Sequence, residues 1–353
     1  MNNKYNIGGD FYVDEKNYIH SKSESILFKK MNSIDKNFTL NGISSFFQIL
    51  IHLKKEIKIN MIYIPAFICD CLIPPIKKLN MKYSFYSIDK NFNGLFDAKK
   101  NCAVLILNYF GLKNDLIDKL KNNEKNNFYI IEDGTHSLLN QNYNFNNKNH
   151  FKFISLRKHG YLGAGGWTNI NSNLNKKNNS VDRIVIKDYF LRKKKYNYIK
   201  NNLYIKKEKE FLNNFKKINN IYLKKLSKNV IPEENLFYLK KFDFDNAINI
   251  RLKNWKLMNK ILKNSVERVM KKVSKNQVPL GFIILIKNRD KVRKELIKNR
   301  IFSSIHWPLP KEIKLNNFNL ERKISKRILT IPIDHRFNSR DVEYTGEILN
   351  KLI

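Results

Sequence analysis

Between Asn41 and Ser155 the hydrophobic spacing switches repeatedly between helical and strand-like, and that alternation leaves few folds open to the chain. Asn41 to Leu53 carries apolar residues at helical spacing behind a Gly-Ile-Ser-Ser start, and Met61 to Ile64 is a short apolar strand that ends at Pro65. Asp70 to Leu79 reads as helix, and Lys82 to Ile88 alternates as a strand does. Ala103 to Leu107 is a continuous apolar run suited to a buried parallel strand. The helical Lys113 to Lys121, the strand Phe128 to Ile131 and the short strand Phe151 to Ser155 follow. Such a succession predicts an α/β fold with a mostly parallel sheet flanked by helices.

After about Ser180 the texture changes: Asp182 to Leu226 is Lys-rich, aromatic and helical. Leu280 to Ile286 and Arg327 to Ile331 read as strands around the helix Arg289 to Asn299, which predicts a smaller C-terminal α+β domain. The 353 residues are enough for two domains. We expect residues 1–240 to form the larger, with an N-terminal arm over 1–37, and residues 241–353 the smaller.

The 67 Lys and Arg against 31 Asp and Glu give a formal charge of +36, which a nucleic-acid binder would also show. Here, however, Lys is spread from Lys4 to Lys351 and travels with Asn and Ile, as in 122–127 and 173–179, the mixture an AT-rich coding sequence writes. Nucleic acid is therefore not the expected partner, and Lys187 to Lys228 is the densest basic stretch should one exist. Three Cys argue against a disulfide framework. Cys69 and Cys71 lack a second Cys or His pair at metal-site spacing, so no metal is expected and buried small hydrophobes are the ordinary reading. No apolar run approaches the roughly 18–20 residues of a membrane span, and Met1 to Glu15 lacks a signal-peptide core, so a soluble cytoplasmic protein is expected.

In open α/β sheets ligands bind beyond the carboxyl ends of the strands. After Phe128 to Ile131 come Glu132, Asp133 and, three residues behind the Asp, His136; after Phe151 to Ile154 come Ser155, Arg157, Lys158 and His159, then Gly163-Ala164-Gly165-Gly166. Before both, Asn41-Gly42-Ile43-Ser44 opens a helix whose N–H groups can bind phosphate. Each alone has an ordinary explanation as cap, surface lysine or turn. Together they meet the needs of pyridoxal phosphate: N–H donors for the phosphate, a carboxylate for the pyridine nitrogen, and a Lys for the aldehyde, here 158 − 133 = 25 residues after the Asp.

At these residues the sequence resembles the fold type I pyridoxal phosphate enzymes of the DegT/StrS sugar aminotransferase group, in the branch whose lysine motif reads Ser-Leu-Arg-Lys. The resemblance runs through Ile7 to Phe11, Asn41 to Ser44, Pro65 to Cys69, Asn108 to Gly111, Ile131 to Ser137, Ser155 to Lys158 with Gly165-Gly166, His306-Trp307-Pro308 and Pro332 to Phe337. It implies a large cofactor-binding domain with a smaller C-terminal one, and a homodimer. The implied activity takes an amino group from an amino acid, glutamate foremost, to a nucleotide-linked keto-sugar for a surface polysaccharide or glycoconjugate.

By the same resemblance Asp133 pairs with the ring nitrogen, Lys158 holds the cofactor and moves the substrate proton, and His136 lies beside the ring. Gly42, Ile43, Ser44 and Ser155 are implied for the phosphate. The chemistry requires the Lys158 pKa to fall, which burial, Arg157 and His159 would favour. An aromatic stacking partner common in the group is replaced by Cys69, leaving Phe67 or Tyr109 for that role, and Ala164 stands where an acid is frequent. His306 and Trp307 either wall a sugar site or close a hydrophobic turn. Arg336 either clamps a carboxylate or pairs on the surface, and Arg251 and Asn254 read as packing and solvent-facing residues of a helix. The competing functions are a sugar dehydratase, which normally carries His in place of the Lys, a basic nucleic-acid-binding or regulatory protein on this scaffold, and an inactive structural partner.

Overall fold

A computed structural model describes residues 6–14, 26–32, 38–97, 99–121, 128–140, 149–160, 165–170, 179–224, 233–314 and 317–353. The thirteen strands, numbered along the chain, are β1 Ile7–Gly8, β2 Phe38–Thr39, β3 Met61–Pro65, β4 Lys82–Ile88, β5 Gly94–Leu95, β6 Cys102–Leu107, β7 Phe128–Asp133, β8 His150–Ser155, β9 Gly166–Thr168, β10 Glu267–Arg268, β11 Phe282–Leu285, β12 Ile301–Phe302 and β13 Ile328–Ile331.

Eight strands form one sheet in the order β2-β9-β8-β7-β6-β3-β4-β5. From β8 to β4 all neighbours are parallel, while β9 and β5 run antiparallel to theirs. All six residues of β6 are buried, as expected of a strand covered on both faces. The expected α/β fold with its mostly parallel sheet is the one found, and Lys82–Ile88 has the bounds read from the sequence. The helix Gly42–Lys55 lays Phe46, Ile49, Leu50 and Leu53 on the sheet, and Phe46 meets Phe153 of β8 at 5.1 Å. The spacing of those four residues, one stripe of a helix, makes the sheet its partner.

A second, antiparallel sheet of β10, β11 and β13 lies with the helices Phe244–Ile261, Arg289–Lys298 and Ser339–Leu352. β1 pairs in parallel with β12, so the first described residues are held by the C-terminal part of the chain. The basic stretch becomes two helices, Asn179–Lys200 and Tyr204–Lys224, packed on each other. Part of its charge is internal: Arg192 is buried on Asp188 at 3.0 Å, and Lys195 is buried with its amine on the Asp10 carbonyl at 2.6 Å. Burial draws the Lys195 pKa down to about 7. Among the described residues no helix is long and apolar enough to cross a membrane.

One backbone contact joins the two sheets beside the carboxyl end of β6. Gly111 has φ +95, and a Cβ there would stand 2.3 Å from the Val278 carbonyl oxygen. Leu280 N–H donates to Phe110 O at 2.9 Å in the same contact. Gly111→Ala meets both an unfavourable φ and a backbone clash, and should lower stability by about 1–3 kcal/mol. A lower urea midpoint at constant m-value checks this, and an unchanged midpoint refutes it.

Candidate active site

The order of strands reverses at β3, with β4 on one side and β6, β7 and β8 on the other. Crevices at such a reversal, beyond the strand ends, are where α/β sheets bind ligands. A cavity of about 380 Å³ lies there. Gly42, Ile43, Asp133, His136, Ser155, Lys158 and Trp307 all line it, seven of the residues marked in the sequence. His306 and Arg336 line a second cavity of about 250 Å³, and Arg157 and Lys158 line both.

Alternation along β7 sends its two terminal carboxylates to opposite faces of the sheet. Burial opposes ionisation of Glu132, but Lys152 at 2.8 Å and His150 at 2.9 Å hold its carboxyl well below the usual range. Asn108 Nδ2 also donates to Glu132, at 2.7 Å. Asp133, facing the cavity, accepts the Thr135 N–H at 2.9 Å. Burial pushes its carboxyl up to about 6, against the pull of the Thr135 bond and of Lys158. A desolvated carboxyl of this kind favours a cationic partner.

His136 stacks on Trp307 at 5.2 Å and 17°, and on Phe110 at 5.7 Å and 24°. Its Nδ1 accepts the Phe110 N–H at 3.4 Å, which places the proton of the neutral ring on Nε2. Burial, then the fields of His306 and Lys158, hold it neutral by moving its pKa well down. His306 Nδ1 lies 2.9 Å from Thr330 Oγ1, and burial with Lys158 takes its pKa down to about 3.

At the opening of the helix Gly42–Lys55, the Ser44 N–H is already taken by the Asn41 side chain at 2.9 Å. The expected donor at that position is therefore corrected: the N-cap uses the amide. The Ser44 hydroxyl, by contrast, is buried with no partner. A Cβ at Gly42 would lie 2.9 Å from Ser155 Cβ, and one at Gly166 would lie 2.4 Å from the Asn41 backbone. Both glycines let the helix opening, β8 and β9 approach closely. Ser44 itself does not line the cavity, whereas Gly42 and Ile43 of the helix N-terminus and Ser155 do, a set that suits a phosphate, and the desolvated Asp133 suits a pyridinium.

Three sequence expectations need correction. Lys158, at the end of the short turn Leu156–Lys158, is exposed and not buried. His159 is no cation beside it either: its Nε2 sits 2.9 Å from the Thr135 carbonyl, and burial takes its pKa down to about 3. Arg157 donates to Asn219 at 3.1 Å. Phe67 and Tyr109 do not line the cavity; both are core residues, with the Tyr109 hydroxyl on the Phe67 carbonyl. Arg336 is half-buried and lines the second cavity, but its guanidinium fork is already closed on Asp334 at 2.7 and 2.9 Å and covers Phe11 at 4.0 Å.

Cys69 and Cys71 are half-buried cavity residues with their sulfurs 2.7 Å apart, whereas Cys102 is buried as expected of a small hydrophobe. Arg251 and Asn254 are both buried, not solvent-facing. Gly163 and Ala164 lie outside the described residues. Asn108 and Thr135, which line the cavity and bond Glu132 and Asp133, lie within stretches that carry the resemblance but have no role assigned from the sequence. Their place directly after a strand was the available signal.

No protein-family model matches the sequence, and no curated protein is similar to it. Solved structures do match in fold. A putative sugar aminotransferase, Spr1654 from Streptococcus pneumoniae in its PLP form, superposes with TM-score 0.67 at 13% identity, covering 99% of this chain and 98% of that one. PseC of Helicobacter pylori, an aminotransferase involved in the biosynthesis of pseudoaminic acid, gives 0.67 at 10% identity over 98% of each chain. A DegT DnrJ EryC1 StrS aminotransferase from Brucella abortus gives 0.61 at 12% identity, over 94% of this chain and 91% of that one. The fold is therefore that of fold type I aminotransferases.

Asp133 holds its proton more tightly in the folded protein, at about pH 6 against an ordinary 3.8. Its contribution to stability is thus fully present below about pH 4 and is lost as pH rises through 6. In protein free of pyridoxal phosphate, Asp133→Asn should be more stable than wild type at pH 8, by up to roughly 3 kcal/mol, with the gap closing toward pH 4. Urea unfolding across that range checks the sign; a pH-independent difference refutes it.

Proposed function

We propose that the chain is a DegT/StrS-type, pyridoxal phosphate-dependent aminotransferase. It takes an amino group from an amino acid, glutamate foremost, to a nucleotide-linked keto-sugar that feeds a surface polysaccharide or glycoconjugate. The observation that carries this reading is the meeting, in one cavity, of the desolvated Asp133, Lys158 and the opening turn of the helix Gly42–Lys55. The shared fold with sugar aminotransferases supports it.

Pyridoxal phosphate, when bound, supplies an aldehyde that takes up amines and a ring that accepts electrons from the carbon beside the nitrogen. Asp133 would keep the ring nitrogen protonated, and its own pKa would fall as that cation replaces lost solvent. Lys158 would secure the aldehyde between turnovers and move the substrate proton on Nζ. The Ser155 hydroxyl and the first N–H groups of the helix, at Gly42 and Ile43, would take the phosphate. His136, neutral and packed against both Phe110 and Trp307, would lie beside the ring. Trp307, stacked on His136 and lining the cavity, would present its remaining edge to substrate.

The lysine at 158 favours amino transfer over dehydration. The nucleic-acid reading is weakened by the internal roles of Arg192 and Lys195. A homodimer is part of the proposal and is supported by Phe190, Leu203, Ile205 and Leu212, large apolar side chains exposed on the helical hairpin. The division at residue 240 and a cytoplasmic location belong to it as well.

The test is the visible spectrum of the full chain with pyridoxal phosphate, before and after borohydride. Wild type should show a band that borohydride fixes on the Lys158 peptide, bleached by glutamate. Lys158→Ala should lose both, with the glutamate reaction slowed by at least about 10²–10⁴-fold. A wild-type protein without the band, or a band unchanged by the substitution, overturns the proposal.

A further inference from the structure

Cys69 and Cys71 stand in the wall of the first cavity, both half-buried, with their sulfurs 2.7 Å apart. Neither has a part in the proposed amino transfer. They follow the carboxyl end of β3, the strand at which the sheet order reverses. The backbone there is one tight helical turn over Asp70–Leu72, closed by the Leu72 N–H on the Cys69 carbonyl at 3.1 Å and anchored by the buried Leu72, Ile73 and Ile76. Cα atoms two residues apart span about 7 Å when extended, and a helical turn between them draws them inside the roughly 4.4–6.8 Å that a disulfide accepts. A bond of about 2.05 Å between the sulfurs needs a further approach of about 0.7 Å.

The two thiols are chemically unequal. The bond from the Cys71 thiol draws the Cys69 pKa down against burial, and the Cys71 N–H and the Lys158 charge add to that while Asp70 opposes it. The same bond, together with burial, pushes the Cys71 pKa well up. A pair in which one sulfur favours the charge and its neighbour keeps the proton is arranged for thiol–disulfide exchange, because a thiolate attacks and a second sulfur resolves. Among the described residues no further Cys, His, Asp or Glu joins them in a group that could hold a metal ion. Cys102 is the internal contrast, buried with its thiol on the Lys99 carbonyl at 3.1 Å.

We propose that Cys69 and Cys71 are a redox-active dithiol, which low-molecular-weight disulfides convert to an intramolecular disulfide in the wall of the cavity that Lys158 and Asp133 line. The Cys69 thiolate attacks one sulfur of the reagent and expels its other half as a thiolate. Cys71 gives its proton to that leaving group, attacks Cys69 Sγ and expels the second half. The two protein thiols lose two electrons, and one reagent disulfide is reduced to two thiols, the second taking up from water the proton that Cys69 first released. A ligand filling the cavity covers the sulfurs and slows the exchange. That last step rests on the aminotransferase reading, whereas the exchange itself needs only the two cysteines.

The experiment treats the reduced full chain with 2-hydroxyethyl disulfide, with and without pyridoxal phosphate, and reads the products by mass spectrometry. Wild type should lose two hydrogens and carry a Cys69–Cys71 bond within one peptide, with Cys102 still a thiol, and dithiothreitol should restore both thiols. Cys71→Ser should stop at a stable adduct on Cys69. In Cys69→Ser the adduct on Cys71 should form at least about tenfold more slowly, as expected of the thiol that keeps its proton. Saturating pyridoxal phosphate should slow the wild-type reaction by at least about tenfold, because exchange needs access to the sulfur attacked.

A wild-type protein that keeps both thiols, that accumulates the unresolved adduct, or that loses the Cys102 thiol as fast as that of Cys69 overturns the inference, and these three readings need no variant to fold. Equal rates in the two single variants overturn the assignment of Cys69 as the attacking sulfur. Failure of the aminotransferase reading looks different. A protein with no cofactor band that still closes the disulfide loses that reading and keeps the dithiol, whereas a normal band with no disulfide loses the dithiol alone. A normal band with no slowing overturns the shielding of the pair by the cofactor.

Discussion

Burial of the Asp133 carboxylate at the carboxyl end of β7 is the constraint around which the site is arranged. A strand covered on both faces can end in a charged pair only if each charge is answered, and β7 answers its two differently. Glu132 receives Lys152, His150 and Asn108 from the protein itself. Asp133 receives only Thr135, through its side chain and its backbone N–H, and the field of Lys158. The protein thus completes one site of the pair and leaves the other dependent on a ligand. The neighbouring histidines follow the same logic: burial keeps His136 and His306 neutral, and they serve as surfaces and hydrogen-bond partners.

Legibility in the sequence followed length and locality. Met61–Pro65, Lys82–Ile88 and Cys102–Leu107 carry enough consecutive residues for periodicity to speak, and their order alone implied the parallel sheet. β2, β9, β10 and β12 have two or three residues each, too few for any period, and they are set by what lies beside them. The meeting of Asp133, His136 and Lys158 in one cavity could be anticipated because each lies at or just beyond the end of a strand that can itself be read.

What could not be read depended on distant partners. Arg251 looks like any helical arginine until Leu280 and the 333–337 segment close over its helix. Arg336 looks available until Asp334 takes its fork. The Lys158 environment was misjudged for the same reason, since exposure and the turning of His159 toward Thr135 are tertiary facts. The charge of +36 is spread along the chain, and Arg192 and Lys195 show that some of it is structural.

The wall of the second cavity has an implication for synthesis. Gly9 and Asp10 are held through their carbonyls by Arg336, across 327 and 326 residues of sequence, and β1 pairs with β12. Contacts of such separation close late, because the intervening loop must be ordered first. On the ribosome, Ile7 and Gly8 must therefore wait for Ile301 and Phe302, and the Gly9 carbonyl for Arg336, before they find these partners. The cavity that Arg251 lines is completed only after almost the whole chain has emerged.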